Sequence, residues 1–286
     1  MRTTISRGSR FASVAALTTL GALGGAAGLT LADAAPGGSG LPTIRVTESG
    51  KTISVGGTFV SGAVNVVTTT SGEAQGSPVF FALRPGVTAG QVLARFAQKR
   101  VQNTPDYAND LGSLVFDAEA DRGVSQTQTV LRPGNYLAVD LAGNGRPPST
   151  TFTVTANPQP AALPAPTATI SGVEFGFRGP SVLHQGSLVR VKNDGFLVHM
   201  FLAVPVKGPR QARRLTNLLR AGKDNKAMKL AAGPPVNFAG PLGTGAVQQA
   251  ILHAARGYYV LVCFMDTQDG REHTRLGMER TIRVVR

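Results

Sequence analysis

Among 286 residues there is no tryptophan, a single cysteine and only four histidines. One cysteine excludes any intramolecular disulfide. It leaves Cys263 three roles: a buried small hydrophobe, an intermolecular link or a metal ligand. Acidic side chains are also scarce, with 16 Asp and Glu against 29 Lys and Arg and a formal net charge of +13. A basic balance of this kind suits nucleic acid, anionic envelope polymers or an acidic protein, and a plain solubilising surface explains it equally well. Past residue 31 no apolar run is long enough to cross a bilayer. No HExxH helix, Gly-rich phosphate loop or Ser/His/Asp arrangement is visible, which removes the signatures of several hydrolase and nucleotide-binding classes.

The N-terminus reads as a targeting segment. Arg2, Arg7 and Arg10 precede a small-residue apolar stretch over 11–31, and Ala32-Asp33-Ala34 fits a small-x-small cleavage pattern. The expectation is a signal peptide at 1–34 that is cleaved, with a retained anchor as the competing reading. Removing 1–34 takes away three Arg and one Asp, so the net charge falls from +13 to +11. A chain exported in this way works outside the cytoplasm, in the cell envelope or beyond it, with no membrane span, and nucleic acid becomes its least suitable partner.

What remains is rich in Val, Thr and Gly between short apolar runs, which predicts an all-β fold. A Pro- and Ala-rich linker at 156–167 splits it into 43–155 and 168–286, and the two parts look alike. Each opens with short strand patterns and Gly turns. Each continues with an apolar strand, SPVFFALRPG (77–86) against VHMFLAVPVKG (198–208). A basic helical stretch follows, TAGQVLARFAQKR (88–100) against PRQARRLTNLLRAGK (209–223), and in the second Leu215, Leu218 and Leu219 share one face. Each part ends on a strand pair carrying Gly-x-Tyr, Gly134 and Tyr136 in one, Gly257 and Tyr259 in the other. The pattern predicts two β-sandwiches, each with one short helical insertion.

The last strand pair carries the chemistry. Side chains alternate along a strand, so Tyr259, Leu261 and Cys263 point one way. The polar segment 266–272, with an Asp-Gly, reads as a loop. It returns the chain so that His273 and Met278 fall near Cys263, while His199 sits on a separate apolar strand. Two imidazoles, a thiolate and a thioether form the donor set suited to copper cycling between its two oxidation states. Gly257, Tyr259, Cys263, His273, Gly277 and Met278 in this spacing resemble the C-terminal copper loop of the cupredoxin family, with plastocyanin-like proteins and the type 1 centre of nitrite reductases as the nearest patterns. His199 matches the family's upstream ligand. The resemblance implies two tandem cupredoxin-like Greek-key sandwiches and one type 1 copper ion in the second, held by His199, Cys263, His273 and Met278. It implies a one-electron carrier or copper-holding protein rather than an enzyme. An acidic redox partner would dock near the His273 loop among Arg271, Arg275 and Arg280. Two departures stand out: the loop between Cys263 and His273 is long, and Met200 follows His199 where the family often has Asn.

Each residue also has a bland reading: a core cysteine, a core methionine, a loop histidine, a satisfied buried histidine. The first half weighs against those readings taken together. It keeps the framework yet offers Asp140 opposite Cys263, Pro78 opposite His199, and Pro147 and Pro148 near His273 and Met278. His184 and His253 lie in a turn and before the last strand pair, away from the set. With four His in all, a second copper centre in one subunit is short of ligands. The alternative function is a metal-free, two-domain interaction module of the cell surface.

Overall fold

The computed structural model describes residues 40–118, 120–141 and 147–286, so the expected leader at 1–34 lies outside the described residues. Strands run through both halves. The N-terminal half holds β1 (Thr43–Glu48), β2 (Ile53–Gly57), β3 (Gly62–Gly76), β4 (Pro78–Leu83), β5 (Gly112–Asp117), β6 (Ala120–Leu131), β7 (Gly134–Asp140) and β8 (Ser149–Val154). The C-terminal half holds β9 (Ala168–Val173), β10 (Gly176–Arg178), β11 (Val182–His184), β12 (Leu188–Asn193), β13 (His199–Val206), β14 (Val236–Leu242), β15 (Val247–Ile251), β16 (Gly257–Val262) and β17 (Glu279–Val285).

One helical insertion interrupts each half where the sequence predicts it. Between β4 and β5 lie α1 (Ala89–Phe96), α2 (Lys99–Asn103) and a 3-10 turn (Pro105–Ala108). Thr88 and Gln91 close a capping box at the start of α1, satisfying two otherwise orphaned N–H groups. Between β13 and β14 lie α3 (Pro209–Arg220) and α4 (Asp224–Met228). Proline in the first turn of α3 costs no hydrogen bond, and Ala212, Leu215 and Leu219 are its buried face.

The halves pair their strands in the same order. β2-β1-β3-β6 and β10-β9-β12-β15 form one layer, β5-β4-β7-β8 and β14-β13-β16-β17 the other, with β11 added beside β17. The structure adds one feature to the tandem arrangement read from sequence. β6 and β15 pair antiparallel at Thr129–Gln248 and Gln128–Gln249, fusing the first layer into a single eight-stranded sheet. In the second layer β5 meets β14, where Gly243 N–H donates to the Leu114 carbonyl at 2.7 Å. Buried Gln248 satisfies this seam by accepting from Asp117 N–H at 2.6 Å and donating to the Asp117 carbonyl at 3.1 Å. The Pro/Ala stretch is pinned along the seam rather than free. Asn157 N–H donates to Ser61 Oγ at 2.9 Å, Ala63 N–H to the Ala161 carbonyl at 2.8 Å, and Arg190 to the Pro164 carbonyl at 2.9 Å.

The central strands of the second layer are buried on both faces. Phe80, Phe116, Tyr136 and Phe152 fill the sandwich of the N-terminal half, with Phe80 stacked on Phe116 at 4.8 Å. Phe81, Leu137 and Val139 face the other way and join a core that continues through Phe201, Val204, Leu215 and Val260 of the C-terminal half. Each such side chain contributes about 1.5–3 kcal/mol of burial, so the halves share much of their stabilisation. Both strand pairs carry a tyrosine corner. Tyr136 Oη donates to the Arg132 carbonyl and Tyr259 Oη to the Ala255 carbonyl, each at 2.7 Å. Among the described residues no helix is long and apolar enough to cross a membrane.

Candidate metal centre

Three neighbouring strands, β17, β16 and β13, bring the site together at one end of the second layer. His199 opens β13, Cys263 follows β16, His273 opens a 3-10 turn (His273–Leu276), and Met278 precedes β17. The polar loop is closed by Thr267 N–H donating to the Arg271 carbonyl at 2.8 Å and by Gly270 at φ +79°. His273 N–H then donates to the Met265 carbonyl at 2.8 Å, and Met278 N–H to the His273 carbonyl at 3.0 Å. Gly277, at φ +100°, ends the turn in a conformation that favours glycine.

His199, Cys263, His273 and Met278 are all fully buried. Nδ1 of His199 lies 3.3 Å from Nδ1 of His273, and Cys263 Sγ lies 3.3 Å from His273 Nδ1 and 4.0 Å from His199 Nδ1. A triangle with these sides has its centre about 2.1 Å from every corner, which is the bond length of a metal held by imidazole nitrogen and close to that of a thiolate. Nε2 of each ring is buried without a hydrogen-bond partner. A buried histidine kept for structure would satisfy its ring nitrogens; these two instead aim Nδ1 at a shared point beside a thiol. The satisfied-core reading therefore fails.

Electrostatics fit the same role. Burial lowers His199 to about 4, opposed by the Glu174 carboxylate. Burial, then the neighbouring His199, lowers His273 to about 3. Both rings are neutral at pH 7 and offer lone pairs. Burial pushes the Cys263 thiol up to about 12, against the pull of the Met200 and Met265 N–H groups. One proton, the thiol's, must therefore leave when a metal enters. His₂Cys with a soft sulfur donor fits copper.

Among the described residues, these three form the cluster able to hold a metal ion. His184 Nδ1 instead contacts the Arg286 carbonyl, and His253 is exposed. His273 is fully buried, with the Phe175 ring edge-on to it at 5.4 Å, while Gln268 to Arg271 of its loop and Arg275 are exposed. Phe175 has φ +58°, an uncommon backbone for a bulky residue. It sits in the two-residue turn joining β9 to β10.

Pairing register refines the comparison between halves. Ala82 pairs with Tyr136 as Pro205 pairs with Tyr259. Counted along the same strands, and back past the start of β4, this equates Asp140 with Cys263 but sets Gly76, the last residue of β3, and not Pro78, opposite His199; Pro78 matches Phe201. Even a hydrogen bond repeats. Ser77 N–H donates to Asp140 Oδ1 at 3.2 Å, as Met200 N–H donates to Cys263 Sγ at 3.4 Å.

Two glycines that the sequence did not single out make the room. A Cβ on Gly172 would stand 3.0 Å from Phe201 Cζ and 3.4 Å from two carbons of His199. In the first half Glu48 matches Glu174, since Gly57 stands over Thr43 and Ile44 as Gly179 stands over Thr169 and Ile170. The Glu48 carboxylate fills the space over Gly76, where a Cβ would collide with it. A Cβ on Gly195 would collide with the Glu174 carboxylate and come within 2.9 Å of His199 Nε2. Gly195→Ala is therefore expected to destabilise the protein by about 1–3 kcal/mol through overpacking, read as a lower denaturant midpoint at unchanged m-value. An unaltered midpoint would show that the wall around His199 yields. Asn193 fastens the same loop, accepting from Gly195 N–H at 2.9 Å and donating to the Leu197 and Leu242 carbonyls at 2.7 and 2.8 Å.

Fold and donor atoms together define a β-sandwich with a buried His-Cys-His cluster able to hold a metal ion of copper's preferences. No protein family matches the chain by sequence, and no curated protein does. Solved structures that share some of its architecture include auracyanin B, at 16% identity over 43% of this chain and 93% of that one, TM-score 0.27. Auracyanin A, a "blue" copper protein from Chloroflexus aurantiacus, matches at 18% identity over 41% and 96%, TM-score 0.25. A copper-containing nitrite reductase from Thermus scotoductus matches at 13% identity over 85% and 67%, TM-score 0.25. The donor triangle itself carries the metal reading.

Proposed function

We propose that the chain binds one copper ion at His199, Cys263 and His273, with Met278 as a weak axial ligand, and serves as an exported one-electron carrier or copper-holding protein. The observation that carries this reading is the buried triangle of Nδ1, Nδ1 and Sγ, with a centre at metal-bonding distance from all three. Met278 supports the axial role by being fully buried and bonded through its N–H to the His273 carbonyl. A rigid sandwich limits ligand rearrangement when an electron moves. The repeated strand order, tyrosine corners and Asp140/Cys263 correspondence support reading the halves as two copies of one Greek-key unit, with 168–286 as the metal-bearing copy. Four histidines, two of them in the site, favour a carrier over a copper enzyme with a second centre.

Adding Cu(II) to the purified protein tests this reading. One equivalent should produce an intense visible thiolate-to-copper band, and Met278→Leu should keep the band while shifting its position and the reduction potential. A colourless wild type would return the chain to the metal-free interaction module.

An acidic redox partner docking near the His273 loop would also meet a basic surface on α3. Arg271 is paired with Asp269 at 2.8 Å, and Arg280 is spent on the Phe177 and Gly179 carbonyls. Arg210, Arg213 and Arg214 on α3 are exposed, and the end of α3 reaches the His273 turn through Gly222 against Arg275. Reversing Arg213 and Arg214 to Glu should slow association with an acidic electron donor, and the wild-type rate should fall as salt shortens the Debye length to about 8 Å. A rate indifferent to both would reduce this charge to a solubilising role.

A further inference from the structure

The half without metal donors reaches into the copper centre of the other. Asp106, in the 3-10 turn Pro105–Ala108, is 6% exposed. Its carboxylate accepts from Val198 N–H, the residue before His199, at 3.1 and 3.4 Å, and Asn109 orients it with a bond at 3.0 Å. Three residues earlier, the Asn103 carbonyl accepts from Asp266 N–H at 2.8 Å, in the loop between Cys263 and His273. Tyr107 Oη donates to the Gln268 carbonyl of that loop at 2.9 Å. Val101, just before this segment, is fully buried in the core that includes Cys263 and Met265. One short stretch of the first half therefore grips both ligand-bearing segments of the second. Within the second half the residue after His199 is Met200, whose thioether chain offers no donor to tie those segments together. The Cys263–His273 loop is also long.

We propose that the Asn103–Tyr107 segment is a working part of the copper centre, with Asp106 as a positioning residue that holds the His199 strand and the Cys263–His273 loop at the separation the metal needs. The proposal rests on the copper reading given above. It gives the donor-free half a function: the centre is assembled across the seam, and the second half alone lacks this added brace. It also explains how a long loop stays ordered without the family's own cross-link. A carboxylate serves here because it accepts from a buried main-chain N–H and from Asn109 at once, and a buried N–H left without a partner would shift to find one.

The test uses the full chain with Asp106→Ala, Asp106→Asn and Tyr107→Phe. In metal-free protein, amide hydrogen exchange at Val198 should quicken at least about tenfold in Asp106→Ala, whereas Asp106→Asn, which keeps an acceptor oxygen, should restore most of the protection. With copper, Asp106→Ala should lower affinity by about 10- to 100-fold, the usual range for groups that orient metal ligands. It should also alter the visible band and the copper hyperfine splitting, neither of which a merely destabilised but correctly built site would change. Tyr107→Phe removes one hydroxyl from a framework that still folds, and should speed both exchange around Gln268 and copper release. Wild-type exchange and wild-type spectra in folded Asp106→Ala would overturn the proposal. A wild-type protein that stays colourless would overturn the copper reading instead, and the exchange measurements on metal-free protein would still decide whether the first half braces the loops.

Discussion

Cys263→Ser is expected to erase the visible thiolate-to-copper band and to weaken copper binding by about a hundredfold or more, beyond the range seen for outer-shell changes. Cys263 is the single thiol in the chain, so no other residue can supply the transition. Serine keeps the size of the side chain, and its oxygen can still accept from Met200 N–H, as Asp140 accepts from Ser77 N–H in the first half. The sandwich should therefore fold, and the loss should be chemical. Absorbance during a Cu(II) titration and competition against a chelator for Cu(I) read the two effects. His184→Ala and His253→Ala should match wild type in both. A serine variant that keeps the band would remove Cys263 from the metal.

Acid should unfold the metal-free protein unusually early. In the unfolded chain both site histidines titrate near 6.5, whereas in the fold burial holds them at about 4 and about 3. The unfolded state thus binds more protons between these values, so the stability they contribute is complete above pH 6.5 and is lost as pH falls toward the folded values. Two such groups give a slope of up to about 2.7 kcal/mol per pH unit between pH 6 and 4. Against a total stability of about 5–15 kcal/mol, that is enough to bring the midpoint into mildly acidic solution. Copper occupies both rings and should move the midpoint to lower pH. Circular dichroism during acid titration, with and without copper, measures this. His273→Phe, which removes one titrating group, should flatten the apo curve, and a curve as steep as wild type would place the sensitivity elsewhere.

The donor residues were legible because each sits in a local pattern: Cys263 at the end of an apolar strand, His273 past an Asp-Gly loop, His199 on an apolar strand of its own. The repeated Gly-x-Tyr and most of the buried face of α3 followed from spacing in the same way, with Ala212 rather than Leu218 completing that face. Register between strands did not follow. Strand alternation has period two, so a shift of two residues keeps every side chain on its face, and the match of His199 slid from Gly76 to Pro78. The fused sheet left a faint trace at most. β6 and β15 meet through main-chain bonds at two residue pairs, and the buried Gln248 and Gln249 that serve the seam look like surface residues in sequence. Asp106 was invisible for a plainer reason: its partner, Val198, is a backbone group in the other half. Gly172 and Gly195 mark space needed by residues distant in sequence, which local pattern does not encode.

The packing of the Glu48 carboxylate over Gly76, the position that answers to His199, has a consequence for how such a site could be gained in the first half. Introducing histidine at Gly76 alone drives its ring into the Glu48 carboxylate, and replacing Glu48 by glycine alone leaves a hole where a fully buried side chain stood. Each step is costly alone and tolerable only beside the other, so the pair should show strong non-additivity in a double-mutant cycle. A histidine at Gly76 therefore needs the Glu48 side chain moved or replaced in the same step, however readily Asp140 and Cys263 might interchange. A second copper centre engineered into the first half would have to cross that valley in one move.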